Sequence, residues 1–80
     1  MNTKEFPHEL FVEIEQQDFY LGRLSISKLV RGHVVEVSIV QRESKKILKH
    51  VDTLYEIEEY SEAVDRGVQK LSHFLKQKNQ

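Results

Sequence analysis

The last quarter of the chain repeats apolar residues at helical spacing: Tyr60, Val64, Val68, Leu71 and Leu75 follow one another at steps of four, four, three and four. Steps of that size line up on one stripe of an α-helix, which must be buried against something. Upstream the period changes to two, the signature of strands with one apolar and one polar face. Several short strands followed by a single amphipathic helix define an α+β fold. The expected architecture is a three- or four-stranded antiparallel meander with one C-terminal helix packed on one face.

Leu10, Val12 and Ile14 alternate with Phe11, Glu13 and Glu15 in the first strand. The second spans Phe19 to Leu29, with Leu24 and Ile26 inward, Arg23, Ser25 and Ser27 outward, and Gly22 marking a bulge or a close approach of backbone. Arg31 and Gly32 are expected to reverse the chain, glycine supplying the positive φ of a tight hairpin. His33 to Gln41 is the strongest strand pattern, Val35, Val37 and Ile39 facing one way and Val34, Glu36, Ser38 and Val40 the other, so it belongs in the middle of the sheet. A weaker fourth strand runs from Ile47 to about Tyr55, its lysines suiting an edge. Ser61 is the expected N-cap of a helix reaching about Lys76, and Gly67 near the buried stripe lets that helix sit close to the sheet.

Eighty residues, 39% apolar and 31% charged, make one small domain in which each apolar stripe must be used. Its expected limits are residues 8–77, after a flexible arm at 1–7 and before a disordered tail at 78–80. The absence of cysteine argues against a disulfide scaffold and against a thiolate zinc site. No signal-peptide or transmembrane pattern is readable, so a cytoplasmic protein without membrane contact is expected.

No chemistry-bearing constellation stands out. His8, His33, His50 and His73 lack the spacing of a metal site and read as ordinary surface histidines; no metal or cofactor is expected. His50 and Asp52, two apart in a strand, share a face in the manner of a base and its orienting acid, yet no nucleophile, phosphate loop or Gly-x-Ser-x-Gly turn accompanies them. The chain is therefore not expected to be an enzyme.

Charge is segregated behind a net of −1: residues 1–18 carry −4, 19–50 carry +5, 51–65 carry −6 and 66–80 carry +4. Part of this complements the helix dipole, and the simplest remainder is pairing of acidic with basic strands. The basic block also offers a nucleic-acid reading, in which Lys28, Arg31, Arg42, Lys45, Lys46 and Lys49 gather at one end of the meander and meet phosphates. Against it, Glu13, Glu15 and Glu36 fall on the same sheet face, and no paired aromatics of an RNA-binding sheet are present.

The favoured expectation is protein association, most simply as a homodimer, by a small non-catalytic accessory or regulatory module. One helix covers one sheet face. On the bare face Phe11, Leu21, Val34 and Val40 would supply apolar contact, and Glu13, Arg23 and Glu36 would set its register by charge pairing.

Overall fold

The computed structural model describes residues 6–78. The rest of the expected arm, residues 1–5, and residues 79–80 of the expected tail lie outside the described residues. Four strands form one antiparallel sheet in the order β1-β2-β3-β4: β1 (His8–Glu13), β2 (Tyr20–Leu29), β3 (Gly32–Gln41) and β4 (Ile47–Ile57). The helix α1 (Tyr60–Lys78) follows and packs on β2, β3 and β4. This is the α+β meander with a C-terminal helix, and β3 is central in it.

Alternation dictates the two sheet faces. Leu24 and Ile26 of β2 pair with Val37 and Val35 of β3, and all four side chains are fully buried under Ala63 and Leu71 of α1. Gly67 occupies the middle of the contact line, because a Cβ there would meet Leu24 and Val35 side chains. The expected stripe is therefore rotated: Ala63, Gly67 and Leu71 are the buried positions, Val64 and Leu75 are half-buried, and Val68 lies on the exposed flank. Small residues let the helix descend, and the closest approach follows the smallest side chains. Gly22 has the same use from the sheet side, where it faces Leu71; β2 is regular there, so the expected bulge is absent and the close neighbour is a helix side chain.

Three connections show local chemistry. The β1–β2 turn is closed by Gln17 N–H donating to Ile14 O at 3.1 Å, with Gln16 at φ 64°. Positive φ is what a type II turn needs at its third residue. Between β2 and β3 the reversal is made by Val30 and Arg31, and Gly32 already pairs with Leu29; its φ of 117° and its closeness to the Ile57 carbonyl both exclude a side chain. Helix α1 starts earlier than an N-cap at Ser61 would place it, since Tyr60 is already helical and Ala63 N–H donates to Glu59 O at 3.0 Å. Ser61 is thus inside the first turn. Tyr60 is drawn into the helix by its ring, which packs edge-on against Phe6, His8 and His33.

That aromatic group corrects the expectation of four surface histidines. His33 is 5% exposed, and its Nδ1–H donates to Ile57 O at 2.9 Å, which satisfies a buried polar ring at the sheet end. His8 is half-buried, stacked on Phe6 at 4.5 Å between ring centres and hydrogen-bonded to the Tyr60 hydroxyl.

Candidate association surface

On the uncovered face the register runs Phe11–Arg23–Ser38–His50 in one row and Glu13–Leu21–Val40–Ile47 in the next. The expected contact residues share this face, but they are not equally available. Leu21 is 6% exposed and Val40 not at all. The cause is the β3–β4 turn, which leans across this end of the sheet. Arg42 clamps Glu13 with two hydrogen bonds, 2.6 Å and 3.0 Å, and donates through Nε to Asp18 O at 2.7 Å. Lys45, at φ 64°, carries its ammonium to 5.6 Å from the centre of the Phe11 ring. Leu21 and Val40 are therefore internal packing and cannot supply apolar contact as they stand. Phe11 remains 41% exposed, Val34 is half-buried, and Glu36 is exposed with no ion pair among the described residues.

The charged members expected to set an intermolecular register are mostly engaged within the chain. Arg23 Nη2 donates to Glu9 at 2.5 Å, and Glu13 is held by Arg42. The guanidinium hydrogen bonds lower the Glu13 carboxyl below its ordinary value and raise Arg42 above its own. Ser38, opposite Arg23, is 2% exposed, and its hydroxyl oxygen has no hydrogen-bond partner among the described residues.

The basic side chains of the nucleic-acid reading are not brought together. Lys28 and Arg31 belong to the β2–β3 end, whereas Arg42, Lys45 and Lys46 belong to the opposite end, and Lys49 stands one turn of pleat away beside Ile39. Ten-residue strands separate the two ends by about 30 Å. Arg31 faces Glu56 at 3.4 Å, Arg42 is committed to Glu13, and Lys45 Nζ donates to Arg42 O beside the Phe11 ring, which leaves Lys46 as the cation at that end with no side-chain hydrogen bond or ion pair among the described residues.

His50 and Asp52 do not share a face. The register of β3 with β4 shifts at three places, and between Val37↔Asp52 and Ser38↔His50 the residue Val51 is extra. Asp52 consequently points to the helix side, 3.3 Å from Lys70 Nζ, while His50 lies on the other face and meets Thr53 Oγ1 at 3.0 Å. Asp52 also accepts the Thr53 N–H at 2.8 Å; this bond, then Lys70, lowers its carboxyl below the ordinary value. Among the described residues no group of three or more His, Asp or Glu is arranged to hold a metal ion.

The sequence reasoning missed a groove on the helix side. Helix α1 crosses β2, β3 and β4 and leaves β1 at its margin, so Leu10 and Val12 are only half-buried. Between the end of β1 and the C-terminal half of α1 lies a cleft of about 850 Å³ whose apolar wall includes Val12, Ile14, Ile39, Leu48, Val68, Leu71, Phe74 and Leu75. Glu13, Glu15, Lys49 and Lys76 also line it. One signal for it was readable. Ile47 and Leu48 are consecutive apolar residues in a strand, which alternation sends to opposite faces, so that Leu48 reaches the helix side while Ile47 pairs with Val40 on the other.

No helix among the described residues is long and apolar enough to cross a membrane. No protein-family model, no curated protein and no solved structure matches the chain.

Proposed function

We propose that the chain is a small non-catalytic accessory or regulatory module that acts by protein association, as a homodimer. The observation that carries this reading is the margin at β1. Phe11 on one face and Leu10 and Val12 on the other are partly exposed, the groove beside α1 adds further apolar surface, and the outer edge of the strand has no neighbouring strand among the described residues. Apolar surface on both faces of an edge strand is the kind that association removes from water. The nucleic-acid alternative has less support, because its cations divide between opposite ends of the sheet.

Mass measured by light scattering across a wide range of protein concentration tests the reading. The expected outcome is a shift from the 9.5 kDa monomer toward twice that mass. A strict monomer at the highest concentration overturns the homodimer. A shift of labelled DNA at moderate salt, abolished by charge reversal at Lys45 and Lys46, replaces it with nucleic-acid binding.

A further inference from the structure

We propose that two copies join through their β1 strands, antiparallel and centred on Phe11, to make one continuous eight-stranded sheet; this rests on the homodimer reading and specifies its interface. The sheet has two edges, and they differ in a way that matters. Edge strand β4 pairs with β3 through three register shifts, irregularities that twist an edge away from further pairing. Edge strand β1 pairs with β2 without interruption from His8↔Ile26 to Glu13↔Leu21. Its alternate N–H and C=O groups point outward along a straight line, a template for another strand.

The register follows from side-chain alternation. Opposite residues of an antiparallel pair point to the same face, so a twofold axis normal to the sheet, which keeps both helices on one side, runs midway between one residue and the same residue of the second copy. Centring on Phe11 stacks Phe11 on Phe11 of the second copy and sets Leu10 across from Val12, aromatic with aromatic and aliphatic with aliphatic. Centring on Leu10 sets Phe11 against Glu9, and centring on Val12 sets Phe11 against Glu13, each pairing an aromatic ring with a carboxylate.

The Phe11 register also sets Glu9 across from Glu13 of the second copy, which is unfavourable for bare carboxylates. Neither is bare. Arg23 neutralises Glu9 and Arg42 neutralises Glu13 from strands and turns behind the edge, so the two carboxylates that meet at each end of the paired strands each bring their own guanidinium counter-ion. Arg42, two strands removed from the edge, is thereby a positioning residue for the pairing.

Cysteine trapping reads the register directly, since the chain has no cysteine of its own. Directly opposite Cα atoms in an antiparallel pair lie about 4.5–5.5 Å apart, within the span of a disulfide. In the full chain, mild oxidation of the Phe11→Cys variant is expected to give a covalent dimer, and the Val68→Cys variant on the helix flank is expected to stay uncrosslinked. Phe11→Lys, with its fold verified by circular dichroism, is expected to raise the dimer dissociation constant about tenfold or more.

A dimer that crosslinks through Val68→Cys alone, or that tolerates Phe11→Lys, overturns edge pairing and leaves the association reading standing. A wild-type mass of one chain at every concentration, with neither variant crosslinked, overturns both.

Discussion

Gly67 of α1 lies against Leu24 of β2 so closely that a methyl group on Gly67 would stand 3.0 Å from Leu24 Cδ2, with Val35 Cγ1 at 3.1 Å. Both neighbours are fully buried, and so neither can yield without disturbing the centre of the core. Gly67→Ala gains about 1 kcal/mol in helix propensity and meets an overpacking penalty of about 1–3 kcal/mol. The penalty is the larger. Urea unfolding of Gly67→Ala is expected to show a net loss of about 1 kcal/mol, and Gly67→Val a greater one; a stabilised Gly67→Ala would mean the helix can lift at no expense.

Gly22 and Leu71 form a second close contact, and here the crowded atom is the end of a side chain. A Cβ on Gly22 would come within 2.2 Å of Leu71 Cδ2, so Gly22→Ala forces Leu71 out of its rotamer. The expected loss is about 1–3 kcal/mol. Leu71→Ala leaves a cavity and loses about 2–5 kcal/mol. In the double variant the new methyl occupies space that Leu71 has vacated, and the combined loss is expected to be smaller than the sum by about 1 kcal/mol or more. Additive losses in denaturant titrations would place the two residues out of contact.

These two contacts show where the sequence was readable and where it was not. The strands, their order and the helix follow from periodicity, because burying one face of each element leaves little freedom in how a meander can close. Gly67 was legible as a point of close approach. What periodicity misses is local irregularity. One of the three register shifts in β4, at Val51, places His50 and Asp52 on opposite faces, although residues two apart in a regular strand share one. Leu21 and Val40 are on the face that alternation assigns them, yet the Arg42–Lys46 turn folds over their end of it, a long-range effect mediated by the Arg42–Glu13 pair. The division of the basic residues follows from topology alone: in an antiparallel meander the β2–β3 and β3–β4 connections must be at opposite ends.

The Asp52 carboxylate links the helix to the sheet edge, and its pH dependence has a definite sign. Its folded-state pKa lies below the ordinary 3.8 because Thr53 N–H and Lys70 favour the ionised form. The unfolded chain therefore binds the proton more readily, and the stabilisation is complete above the unfolded pKa and is lost as pH falls through the folded one. Glu13, lowered by Arg42, acts in the same direction. Asp52→Asn keeps an oxygen for the Thr53 N–H but removes the charge facing Lys70. Its melting temperature is expected to lie below the wild type near pH 7, with the gap closing as pH falls below the ordinary carboxylate range and the wild-type carboxyl protonates. Both groups in the pair are partly exposed, so the gap should also shrink in high salt. A gap that persists unchanged both in acid and in high salt would assign the effect to side-chain packing and remove the Asp52 charge from the account of how α1 is fastened to β4.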